Sequence, residues 1–385
     1  MKKTADVSRT VLIHPLLTVF ALLLLCSSCM STEDIVARSW EDKYRAIAES
    51  NVDLYMSTLT EGDDYYRNES YAWFWYMANN DFRDLSFTIT GVEELGPRAV
   101  LVHVNQKHSY AGENFDFNYS IIYRRENGRW LDCDLNFLRR ETEGFRLCYM
   151  EDEKNVETFE RFLLTSNSAL ENVFGIGADD NFPVKLYTDR ELLRQRTYPV
   201  LERQFTAWGE GNESLKVYTG YPSLAPYEGT IRHELVHHIT LKMSANRLAS
   251  WYAEGLAVHY GNAAIHGGNF IDTGRITPHE AEQTIAMLES VDVPSMTDEK
   301  EIACYYGISG LIVQYIAERW GDDAHTEILE YCGRDGYFDR AKEKDPESIL
   351  QPVLHEAFEG VLGMSAEELS EGYFTWLESR YGPAD

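Results

Sequence analysis

Basic residues are scarce in this chain. Its 385 residues hold 35 Lys and Arg against 63 Asp and Glu, a formal charge of −28 with histidine neutral. A chain this acidic does not hold nucleic acid or an anionic membrane surface electrostatically, because both carry the same sign. Most of the excess acid reads as solvated surface. Cysteine is scarce too, six in all. Beyond Cys26 and Cys29, the remaining Cys133, Cys148, Cys304 and Cys332 lack the spacing of a zinc knuckle. In an oxidising compartment they allow Cys133–Cys148 and Cys304–Cys332 bridges; buried free thiols are the equal alternative. No internal repeat and no low-complexity segment is present, which excludes solenoid arrays. Long apolar runs are missing apart from VLIHPLLTVFALLLLC near the N-terminus, preceded by Lys2, Lys3 and Arg9. Its length of about 16 residues, with His14 and Pro15 inside it, is short for a membrane-spanning helix and suits a signal-peptide core. An uncleaved anchor is the alternative. Either way, the rest of the chain is expected outside the cytoplasm.

Histidine is concentrated at one place. Residues 230–239 read TIRHELVHHI, and His233, Glu234 and His237 fit H-E-x-x-H. On a helix, residues four apart share a face one turn apart, so His233 and His237 can offer two imidazole nitrogens to one zinc ion. Glu234 projects into the same cleft as a general base for a water made acidic by the metal. His238 falls about 140° round the helix from His233 and reads as packing or surface. Chance would place roughly 0.03 such motifs in a chain of this composition. Two histidines do not make a site, however, and a third ligand is needed. SWYAEGLAVHY follows, with Ser250 as a fair N-cap and Trp251–Tyr260 as a second helix. An antiparallel return would carry Glu254 to the open side of the histidine pair. That completes the two-histidine, one-carboxylate set of a catalytic zinc, one ion per chain.

The flanking patterns divide the chain near EDEK at 151–154. Before it, IVARSWEDKYRAIAESNVDLYMSTL repeats Val36, Trp40, Tyr44 and Ile47 at a helical period. LSFTITGVEEL, AVLVHVNQKHSY and FDFNYSIIYRR then alternate in twos, and ENG at 126–128 turns the last into RWLDCDLNF. Asp132 and Asp134 flank Cys133 on that strand and are expected to face solvent. After the divide, NVETFERFLLTSNSALENVFG is an amphipathic helix with Phe159, Phe162, Leu163 and Leu170 on its apolar side, and PVKLYT and LKVYT are strands. Beyond Glu228 the pattern is almost wholly helical, the last helix opening with a capping box at Ser365 and Glu368. The fold class is α+β.

Three resemblances sharpen these expectations. Ser27 and Ser28 before Cys29 resemble a bacterial lipoprotein signal, although Cys26 replaces the usual aliphatic residue. This implies a signal peptide at 1–28, lipidation and membrane anchoring at Cys29, and a linker at 29–34. Residues 35–150, a helix followed by a curled antiparallel sheet, resemble the NTF2-like (cystatin-like) fold. HELVHH followed by WYAEGLA is similar to the gluzincin pattern, most of all to bacterial peptidase MA-like domains. That resemblance covers residues 151–385 and implies a zincin-like domain with zinc on His233, His237 and Glu254, Glu234 as base, and a peptide or protein substrate. It also makes Tyr306, in YGISGLIVQYI, a donor to the developing oxyanion, with Tyr305 as the alternative. It further implies that LKVYT offers an edge to an extended substrate. The glycine-rich element that gluzincin aminopeptidases use to read a free amine is absent. Val258 stands where an aspartate could buttress a zinc histidine. The expectation is therefore a lipid-anchored zinc metallopeptidase, an endopeptidase rather than an aminopeptidase. The alternatives are a surface-binding lipoprotein on an inert zincin scaffold, and a zinc hydrolase of non-peptide amides.

Overall fold

The computed structural model describes residues 32–200, 205–262, 271–272 and 274–382. Cys29 and the apolar N-terminal run lie outside them. Among the described residues no helix is long and apolar enough to cross a membrane.

The architecture is α+β, with helices and two sheets. Helices α1 (Thr32–Ala48), α2 (Val52–Met56) and α3 (Asp64–Asn79) precede a four-stranded antiparallel meander. Its strands are β1 (Arg83–Gly96), β2 (Ala99–Tyr110), β3 (Glu113–Glu126) and β4 (Arg129–Leu135), in the order β1-β2-β3-β4. Asn127 and Gly128 both take positive φ, 50° and 82°, and Glu126 pairs with Arg129, so the ENG turn is the two-residue hairpin its residues demand. α3 was not foreseen. Its polar and aromatic residues, DYYRNESYAWFWYMAN, carry no clean apolar stripe, because the helix is covered on several sides.

A second sheet runs β5 (Leu138–Glu141), β6 (Phe145–Tyr149), β7 (Phe182–Tyr187), β9 (Leu215–Tyr218), β8 (Ala207–Trp208). β6 lies before the boundary expected at 150, yet it pairs parallel with β7, and Phe145 and Leu147 enter the large second core. The strand LKVY is also not an edge: β9 lies between β7 and β8, and the two-residue β8 closes the sheet.

Between these strands, α4 (Val156–Phe174) and α5 (Arg190–Thr197) connect the sheet. Then come α6 (Tyr227–Met243), which bears the motif, and α7 (Ser250–Leu256), which widens into a π-helical turn at Ala257–Asn262. α8 (Glu299–Trp320), α9 (Asp323–Gly333), α10 (Glu347–Ala357) and α11 (Ala366–Tyr381) complete the helical half, and Ser365 with Glu368 forms the expected capping box.

The two units share apolar and ionic contacts. Val36, Trp40 and Tyr123 of the first pack with Tyr187, Leu192 and Leu193 of the second. Tyr44, expected on the apolar face of α1, is about half exposed, and Lys43 beside it is buried instead. Its ammonium pairs with Asp132, which also accepts from Tyr66 Oη at 2.7 Å. Asp132 and Asp134 therefore do not face solvent. β4 is covered on both faces, and each carboxylate meets a buried lysine. From α3, Glu69 reaches Lys185 of β7, Lys216 of β9 and the Ser214 hydroxyl. Arg196 of α5 lies over the Trp73 and Tyr119 rings, and the space beside it measures about 10 Å³. The four described cysteines are free thiols, so neither bridge forms.

Candidate metal centre

α6 is buried nearly all round, with Ile231, Leu235, Val236 and Ile239 fully enclosed. Polar residues on so buried a helix are costly unless something satisfies them. Its end is sharp. Ala245 and Asn246 take positive φ, and the Asn246 amide donates back to the Leu241 carbonyl at 2.6 Å. The chain then reverses into α7.

The start of α7 differs from expectation. Ser250 is its first residue, not its cap. Its amide donates to Glu347 Oε2 at 3.1 Å and its hydroxyl to Glu347 Oε1 at 2.7 Å. A carboxylate from α10 thus satisfies an orphan donor and complements the helix dipole. Arg340 braces the same place, donating to the Leu248 carbonyl at 2.6 Å, to Ser250 Oγ at 2.9 Å and to Glu347 at 3.0 Å. One turn on, Gly255 lets α7 cross α8 at backbone contact: a Cβ there would stand 2.5 Å from the Ser309 carbonyl oxygen. The crossing delivers Glu254.

The result is a triangle of ligand atoms. His233 Nε2 and His237 Nε2 are 3.2 Å apart, and Glu254 Oε2 is 3.2 Å from the first and 3.3 Å from the second. Tetrahedral bonds of about 2.0–2.1 Å require ligand atoms about 3.3–3.4 Å apart, so the triangle has the size that zinc would take. Glu254 Oε2 is buried and has no hydrogen-bond partner, so an electron-rich atom is aimed where a cation would sit. Among the described residues no other group of three or more His, Cys, Asp or Glu side chains gathers in this way. The residues present fit the metal. Electrostatics agree: burial alone would raise the Glu254 carboxyl, but His237 and His233 outweigh it and hold the group well below the carboxylate range.

Glu234 stands next to this triangle. Burial, reinforced by Glu254 and Glu210, pushes it up to about 8 against the pull of His233. Gly209, at the end of the edge strand β8, lies against it: a Cβ on Gly209 would stand 3.1 Å from Glu234 Oε2 and 2.8 Å from the Glu234 carbonyl oxygen. Glu210 follows, half-buried and pushed up by burial to about 7. Neither was legible in the sequence, because a two-residue strand has no period to read. Tyr306 enters the site as well, its hydroxyl 3.4 Å from Glu254 Oε1. Tyr305 is buried and lines the same cleft. His238 does not join. Its ring stacks on Phe182 with centroids 3.9 Å apart, and burial pushes it down to about 4. Val258 is buried as an apolar residue.

Glu254, with Tyr305, Tyr306 and Glu210, lines a cleft of about 860 Å³. Comparison with known proteins adds little. No family model matches the chain, and no curated protein matches it. Among solved structures, an NTF-2-like protein of unknown function from Shewanella oneidensis MR-1 is similar over 26% of this chain and 98% of its own, at 14% identity and a TM-score of 0.23.

Proposed function

We propose that this chain is a zinc metallopeptidase held by a lipid at Cys29 outside the cytoplasm, with a zincin-like second unit and an NTF2-like first unit. The observation that carries the reading is the triangle of His233, His237 and Glu254, with its near-tetrahedral edges and its orphan carboxylate oxygen. When bound, zinc supplies Lewis acidity to the scissile carbonyl and lowers the pKa of water toward neutrality. The protein's own residues do the rest. Glu234, buried one residue from His233, takes the proton of the attacking water and returns it to the leaving amine. Tyr306, within 3.4 Å of the ligand carboxylate, donates to the oxyanion as the carbonyl becomes tetrahedral. The edge strand next to Glu234 is β8, so an extended substrate adds there rather than at β9.

The test is metal content together with hydrolysis. Zinc per chain is measured by elemental analysis on the wild type and on Glu254→Ala and Glu234→Gln. About one zinc in the wild type and in Glu234→Gln, lost in Glu254→Ala, is expected. Hydrolysis of a peptide library should fall in Glu234→Gln by about 10²–10⁴-fold. A wild type that takes up no zinc, or a Glu234→Gln variant as active as the wild type, overturns the reading.

A further inference from the structure

One wall of the cleft belongs to the other unit. α3 contributes Tyr71, Trp75 and Tyr76 to its lining. The Tyr76 ring meets Tyr198 edge-on at 4.4 Å, and Tyr198 stacks on Trp208 of the edge strand at 4.9 Å, so an aromatic row runs from α3 to the residue before Gly209. α3 is pinned in place by Tyr71 Oη donating to Asp339 at 2.7 Å and by Glu69 among Lys185, Lys216 and Ser214.

The charge on the lining is lopsided, nine carboxylates against two basic side chains. Glu254 is committed to the triangle, and Glu213, Glu289, Asp339 and Glu347 pair with Lys216, His355, Lys342 and Arg340. Glu210, Asp292, Glu343 and Asp345 make no ion pair among the described residues. Of the two basic groups, Arg340 is taken up by Glu347, Ser250 and the Leu248 carbonyl, and Lys344 makes no ion pair among the described residues, which leaves four such carboxylates against one lysine. A separate observation points the same way. Asn246 lines the cleft and is only 7% exposed, yet its Oδ1 has no hydrogen-bond partner, while its Nδ2 donates to the Phe338 carbonyl at 3.0 Å. A buried acceptor without a donor is costly until a donor arrives. Carboxylates without counter-ions, aromatic faces and an unmet acceptor all favour cationic donors, and the ring faces add cation–π attraction.

On the peptidase reading above, we propose that the cleft selects extended peptides rich in Lys or Arg, and that α3 of the first unit forms part of the surface that binds them. The first unit is then a specificity element.

The experiment measures binding apart from cleavage. Zinc-loaded full-length Glu234→Gln protein is titrated against fluorescent ten-residue peptides of Lys/Ala, Gln/Ala and Glu/Ala composition, followed by anisotropy at near-physiological salt. The Lys/Ala peptide should bind at least about tenfold more tightly than the Gln/Ala peptide, and the Glu/Ala peptide most weakly. Adding Glu343→Gln and Asp345→Asn should weaken the Lys/Ala peptide several-fold and leave the Gln/Ala peptide unchanged. Trp75→Ala, on the first unit, should weaken the Lys/Ala peptide as well. No binding of the Lys/Ala peptide, equal binding of all three, or an equal effect from Glu94→Gln, exposed on β1 outside the cleft, overturns the proposal. Charge-selective binding in a wild type that cleaves none of the peptides keeps the selectivity and removes the peptidase reading. Cleavage without charge preference does the reverse.

Discussion

Tyr305 and Tyr306 are adjacent, and only their surroundings tell them apart. On α8 they point about 100° apart, so a single cleft wall treats them differently. Tyr305 is nearly fully buried and makes an edge contact with Tyr306 at 5.8 Å, whereas the Tyr306 hydroxyl reaches Glu254. If Tyr306 donates to the oxyanion, Tyr306→Phe should lower kcat by about 10²–10³-fold with KM little changed. Tyr305→Phe should leave kcat within a few-fold of the wild type. The opposite ranking in steady-state kinetics would exchange their roles. Glu234 and His238 make the same point within one motif. Glu234 is buried beside the triangle and carries a raised pKa, while His238, just as buried, stacks on Phe182 far from any ligand geometry.

At the scale of elements, the site depends on how closely α7 crosses α8. The missing side chain at Gly255 sets that distance, since the nearest atom a Cβ would meet is a backbone carbonyl that cannot swing aside. Gly255→Ala should therefore push the helices apart, at a cost of about 1–3 kcal/mol typical of overpacking, and should withdraw Glu254 from the histidines. Denaturant midpoints and zinc dissociation constants measured on the same preparation check this: both should worsen, with zinc affinity affected far beyond Ser309→Ala at the same crossing. An unchanged zinc affinity would mean that the crossing does not place the ligand.

At the scale of the molecule, the two units are locked by buried charge. Glu69 of the first unit lies between Lys185 and Lys216 of the second, and Asp134 adds a second carboxylate to Lys185. For Glu69, burial alone would raise the carboxyl, but the two lysines outweigh it and hold it below its ordinary value of 4.5. A depressed carboxyl stabilises the fold above that value and loses the contribution as pH falls below it. Asp134 runs the other way. Burial and Glu69 raise it despite Lys185, so its ionisation costs stability as pH rises above its ordinary value of 3.8. Wild-type stability should therefore drop as pH falls below about 4.5, and Glu69→Gln should flatten that limb while lowering stability at neutral pH. Chemical denaturation across pH 3–7 reads both. An acid limb of the same depth in Glu69→Gln would place the acid sensitivity elsewhere.

Spacing anticipated that His233, His237 and Glu254 gather with Glu234 buried beside them, because H-E-x-x-H places its histidines on one helical face and the next helix returns past them. Local patterns likewise carried the α+β class, the Asn127–Gly128 hairpin and the Ser365 capping box, each a contact within a few residues. The tertiary structure decided everything that joins distant segments. Asp132 and Asp134 turned inward because Lys43 and Lys185 wait there, 89 and 51 positions away in the chain. Ser250 gave up its cap because Glu347 supplies one from 97 residues on. β5 and β6 joined the second sheet because β7 offered a parallel partner, and α3 became a cleft wall because buried ions hold it on the other unit. Periodicity records which face of an element is buried, not what buries it, so the partners emerged only when the chain was folded.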